Sequence, residues 1–171
     1  MRHRLVAGVI GLMVLGCAQQ ETGLEPGQAV EAMNGFLVAL MEGDYRTAYD
    51  THLSPGIKFG AQGTYEQFAA DMAAVQEKFG PITSARLKGY RRVPGKRVYE
   101  VFYEVDHETS GAIPYHLVVE QPRPELPFTV FLVDIGNEQP YPAHDPNSGE
   151  IVPPAEPVVL TPEPAVEVEG E

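Results

Sequence analysis

Four groups of side chains in this 171-residue chain are of types that could do chemistry: one carboxylate, Asp134; three phenols, Tyr49, Tyr99 and Tyr103; four cations, Arg91, Arg92, Lys96 and Arg97; and one thiol, Cys17. Strand alternation places Asp134 on one face with Phe128, Val130 and Leu132. Burial among such apolar side chains would raise its pKa, as a general acid or base requires. The three tyrosines could add hydroxyl donors for an isomerase-like or dehydratase-like reaction, although tyrosines at these periodic positions more commonly fill a core. Nothing near Asp134 completes a catalytic constellation, so these four residues are catalytic candidates without a finished site.

The four cations surround one turn, Val93-Pro94-Gly95-Lys96, on a chain of formal net charge −12. They could contact an anion or an acidic partner, since each cation near an anionic surface contributes about 1 kcal/mol. Their competing role is a charged edge that discourages strand addition. The histidines, His3, His52, His107, His116 and His144, show no ligand-pair spacing. His107 and His116 could face each other across a hairpin, but without cysteine or clustered carboxylates beside them no metal and no cofactor is expected. The acidic balance also disfavours a polyphosphate partner, so nucleic acid is not expected.

The amino-terminal pattern is more specific. Arg2, His3 and Arg4 precede an uninterrupted apolar and glycine stretch from Leu5 to Leu15. That stretch is too short for a bilayer of about 30 Å but suits the core of an export signal. Cys17 is the only cysteine, so no intramolecular disulfide can form. The ending Val14-Leu15-Gly16-Cys17 resembles the lipobox of bacterial lipoproteins. That resemblance implies a signal peptide over 1–16, acylation of Cys17 by palmitate-type chains, and a lipidated spacer over 17–25. Two or three acyl chains, at about 0.8 kcal/mol per buried methylene, make a stable membrane anchor. Ala18 stands where the family's inner-membrane retention signal usually has Asp. The implied location is the cell envelope, at the periplasmic face of the outer membrane where there are two membranes.

The elements that must position the candidate residues follow from period. Val30, Met33, Leu37, Leu40 and Met41 recur at helical spacing, with Pro26 suited to the first turn and Gly43 to the stop. Asp44 can cap a second, short helix carrying Tyr45, Ala48, Tyr49 and Leu53, which Ser54-Pro55-Gly56 ends. Thr64 and Gln67 read as a reciprocal capping box opening a third helix, with Phe68, Met72, Val75 and Phe79 as its stripe and Gly80-Pro81 as its end. The period then changes to two, and strands are expected near 83–93, 96–107, 113–121 and 127–136. Tyr99, Val101, Tyr103 and Val105 alternate with Glu100, Glu104 and Asp106, the pattern of an antiparallel sheet with one wet face. The last strand is apolar on both faces, which predicts a central or doubly covered position. Residues 140–171 hold seven acids and no Lys or Arg, and many prolines, so a disordered acidic tail is expected there.

This order, with Gly43-Asp44-Tyr45, Ala48-Tyr49 and Phe79-Gly80-Pro81 at the joints, resembles the nuclear transport factor 2-like, or cystatin-like, α+β superfamily over about residues 26–137. The resemblance implies three N-terminal helices packed on a curved four-stranded antiparallel sheet, closing a cone over a domain of 26–139. Such a cone can be a ligand pocket, a packed core or a dimer face. The expected role is a membrane-anchored, non-catalytic binding or accessory module for an envelope protein or a small apolar ligand. An isomerase-like enzyme and a homodimerising structural module are the alternatives.

Overall fold

The computed structural model describes residues 26–58, 63–136 and 151–162. The expected signal peptide, Cys17 and its spacer lie outside them. The chain is α+β, with helices followed by an antiparallel sheet.

Helix α1 (Pro26–Met41) buries Ala29, Met33, Phe36, Leu37 and Leu40, spaced to form a stripe along one side. It ends in a Schellman motif: the Gly43 amide donates to the Leu40 carbonyl at 3.2 Å and the Asp44 amide to the Ala39 carbonyl at 2.8 Å. Gly43 has φ +71°, a conformation that glycine adopts without a Cβ penalty. Asp44 Oδ1 accepts from the Thr47 amide at 2.9 Å, opening α2 (Tyr45–Thr47). That hydrogen bond holds the Asp44 carboxyl below its ordinary pKa. Helix α2 continues directly into a π-helical turn, Ala48–His52, and α3 (Pro55–Lys58) follows, so among the described residues four α-helices and not the expected three precede the sheet. Ser54-Pro55-Gly56 does not simply end a helix, because the Ser54 carbonyl and hydroxyl accept from the amides of the next turn and open another. Helix α4 (Tyr65–Phe79) is capped by Thr64, whose hydroxyl accepts from the Gln67 amide at 3.2 Å. Only this half of the expected capping box forms, because the Gln67 side chain turns forward to Asp71 Oδ1 at 2.8 Å.

Strands β1 (Ile82–Arg92), β2 (Val98–His107), β3 (Gly111–Glu120), β4 (Thr129–Ile135) and β5 (Val159–Leu160) make one sheet in the order β4-β3-β2-β1-β5. Tyr99, Val101, Tyr103 and Val105 of β2 and Tyr115, Leu117 and Val119 of β3 are all buried in one core with the α1 stripe. Glu100, Phe102, Glu104 and Asp106 project from the opposite face, as the alternation predicts.

Four expectations about the sheet and the tail fail. The sheet has five strands: Val159 and Leu160 pair with Arg86 and Ala85, and Val152 exchanges hydrogen bonds with Tyr90 at 2.8 and 3.0 Å. The solvated tail expected over 140–171 therefore does not hold for 151–162, where Val158 and Leu160 pack against the core despite the four prolines of that segment. Strand β4 is an edge strand, not a central one, and the Ser54 amide caps part of its free edge by donating to the Val130 carbonyl at 2.8 Å. Phe131 is a bulge residue, 47 % exposed, between Val130, opposite Val119, and Leu132, opposite Val118. The bulge rephases the strand, so Leu132 and Asp134 leave the face that Val130 occupies.

Candidate functional site

That rephasing decides where Asp134 goes. It sits opposite His116 on the sheet face away from α1, half-buried, rather than among Phe128 and Val130. The tyrosines are also dispersed. Tyr49 donates its hydroxyl to the Gly63 carbonyl at 2.8 Å and meets the rings of Tyr65 and Phe68. Tyr103 is buried under α1 and donates to Asn34 Oδ1 at 2.8 Å, and burial raises its pKa. Tyr99 is buried against the rings of Tyr90 and Phe128. The structure does not bring these four candidates together.

The four cations separate as well. A second bulge, at Lys88, leaves Arg91 opposite Glu100 on the outer face and Arg92 opposite Tyr99 on the inner one. Arg91 Nε donates to Glu100 Oε2 at 2.6 Å, and both side chains are buried. His116 stacks on Phe102 at 4.8 Å and lies 3.5 Å from the same carboxylate oxygen, an ion-pair distance without hydrogen-bond geometry. Burial pushes the Glu100 carboxyl up, but His116 and Arg91 outweigh it and hold the pKa below its ordinary value. Lys96 is exposed in the turn, and Arg97 donates to the side-chain oxygen of Gln121. Arg91 and Arg97 are therefore tied to Glu100 and Gln121, Arg92 lies on the opposite sheet face from Arg91, Lys96 is exposed, and the four do not form one patch.

His107 and His116 do not face each other: His107 pairs with Gly111 on the inner face and His116 with Phe102 on the outer one. Among the described residues, no group of three or more His, Cys, Asp and Glu side chains could hold a metal ion. No helix among them is long and apolar enough to cross a membrane.

A concave feature lies elsewhere. A groove of about 690 Å³ opens at the end of the sheet where β3 leaves for β4. One wall is a stripe of α1, with Gln28, Glu31, Ala32 and Gly35 at offsets of three, four and seven residues. Thr51 and His52, where the π-helical turn ends, form a second side. A Cβ on Gly35 would stand 2.6 Å from His52 Cε1, so the bare glycine lets the imidazole lie against the helix. Burial lowers the His52 pKa, and neither ring nitrogen has a hydrogen-bond partner among the described residues.

The third wall is the β3–β4 loop, from Gln121 to Phe128, with prolines at 122, 124 and 127. Gln121 is buried and fixes it from within. Its amide nitrogen donates to the Leu126 carbonyl at 2.7 Å and the Pro124 carbonyl at 3.3 Å, while its backbone amide donates to the Arg97 carbonyl at 2.8 Å. Proline-fixed φ angles and a saturated buried amide leave the loop little freedom to lose when something binds. None of Asp134, Tyr49, Tyr99 and Tyr103 lines the groove. His52, Gly35 and Gln121 escaped sequence reasoning, and the only local signal for this wall was the stiff Pro122–Pro127 connection.

No protein-family model, curated protein or solved structure matches this chain.

Proposed function

We propose that this chain is a lipid-anchored envelope lipoprotein whose α+β domain is a non-catalytic binding or accessory module, with the groove beside His52 as its ligand site. The observation that carries the reading is the groove's size and build. About 690 Å³ falls within the roughly 300–1,000 Å³ typical of small-molecule sites. Its proline-rich wall is fixed before a ligand arrives, which lowers the ordering cost of binding. Helices α1 to α4 preceding antiparallel strands that bury one face against α1 are what support a nuclear transport factor 2-like reading, with the groove at one end of the sheet.

Anchoring rests on the basic Arg2-His3-Arg4 segment, the short apolar run and Val14-Leu15-Gly16-Cys17. Pro26, the first residue of α1, follows Cys17 by nine positions, and an extended spacer of that length reaches about 30 Å at most. Gln28 and Glu31 lie in the first two turns of α1. The groove would then work close to a membrane surface, at the periplasmic face of the outer membrane in a two-membrane cell.

Both parts can be broken separately. In fractionated cells the parent chain should sediment with membranes and the Cys17→Ser chain should be released; retention of that variant contradicts the anchor. Nile red, a neutral apolar dye, should brighten with the Cys17→Ser chain and lose that response when Ala32→Trp is added to fill the groove. An unchanged dye response in the double variant contradicts the groove as the site.

A further inference from the structure

The lining of the groove is asymmetric in charge. Glu31 on α1 and Glu125 on the loop are both exposed and both line it, while no Lys or Arg among the described residues does. Arg97, which touches the loop through Gln121, does not line it, and neither does Arg123 of the loop itself. The lining also carries apolar side chains, Ala32, Leu126 and Phe128. Leu126 is 41 % exposed, a large apolar side chain left uncovered at the rim. His52 adds two ring nitrogens that no described residue engages.

From this arrangement we infer that the groove takes a small amphiphilic amine: a protonated nitrogen held between Glu31, Glu125 and His52, with an apolar chain laid on Ala32, Leu126 and Phe128. The inference rests on the groove reading above and adds the ligand class. An ammonium offers three donors and no acceptor, which suits two carboxylates and a neutral imidazole that can accept. A carboxylate or phosphate head would meet like charge from Glu31 and Glu125. The apolar chain supplies the sign-independent part of binding, and the head group decides which amphiphile is kept. The carboxylates stand at a partly exposed rim, where one ion pair contributes up to a factor of about five in affinity. The preference for an amine over an acid of equal chain length is therefore expected to be about tenfold.

The test uses octylammonium and octanoate, which share an apolar chain and differ in charge, titrated calorimetrically below their micellar concentrations into the Cys17→Ser chain. Octylammonium should bind about tenfold more tightly than octanoate. That ratio should shrink as salt is raised, since partly exposed charges are screened. Glu31→Gln with Glu125→Gln should collapse the ratio to about one while leaving octanoate binding equal or stronger. Both glutamates are exposed, so the double variant should keep the parent melting temperature, which a parallel melt checks. Equal binding of the two probes, or tighter octanoate, overturns the amine inference and leaves the groove standing. Absence of binding by either probe overturns the groove reading together with it.

Discussion

The two ends of the sheet make a natural comparison, because each carries a histidine on the α1 side and the two are treated in opposite ways. At one end His107, 3 % exposed, is used up. Its Nδ1 donates to the Gly80 carbonyl at 2.7 Å, and its Nε2 meets the Tyr115 hydroxyl at 3.0 Å. The Gly80 carbonyl can only accept there, so Nδ1 carries a proton. The β2–β3 turn closes over this end, with Ser110 and Glu108 donating to the carbonyls of Phe79 and Pro81. At the other end His52 engages nothing described, Gly35 makes room for it, and the groove stays open. The same fold thus seals one end and leaves the other open.

The largest effect should come from breaking the sealed end. His107→Ala strands the Gly80 carbonyl and the Tyr115 hydroxyl in an apolar setting and opens a cavity, for a loss of about 3 kcal/mol. Urea denaturation of the Cys17→Ser chain measures it; a loss under about 1 kcal/mol would mean the histidine is not a tie. Gln121→Ala should cost less, about 1–2 kcal/mol, because it frees two loop carbonyls that can reach water. Its more telling consequence is weaker dye or amine binding as the loop wall loosens. Stability lost with binding intact would separate the loop from the site.

The smallest effect concerns His52 and is a pH effect. Burial lowers its folded-state pKa below the ordinary 6.5. As pH falls through 6.5 the unfolded chain therefore takes up the proton before the folded one does, and folding stability drops until the lower folded-state pKa is passed. Above 6.5 the group contributes nothing. Replacing it, His52→Asn, should remove this part of the slope in that window, read as the difference in urea midpoints between the two chains. An identical slope would mean the ring is as solvated as in the unfolded chain.

Much of the fold was legible because it is written in local period. Tyr99 to Val105 alternate as a half-buried strand must, and the apolar spacing of α1 with Gly43 behind it marks a helix and its end. What escaped is long-range or depends on single insertions. The Phe131 bulge turns Asp134 to the other face, and no neighbouring residue type announces it. The Pro-rich composition of 151–162 reads as solvated, whereas Val158 and Leu160 find apolar surface at the β1 edge that only the folded sheet provides. The groove is the extreme case, since Gly35, His52 and Gln121 are far apart in the chain and meet only through packing.

The most direct measurement is chemical-shift mapping of the ¹⁵N-labelled Cys17→Ser chain as octylammonium is added. The account predicts shifts centred on Glu31, Gly35, His52 and Leu126, with Gly80, His107 and Gly111 unmoved. Shifts at the His107 end, or none anywhere, would contradict it.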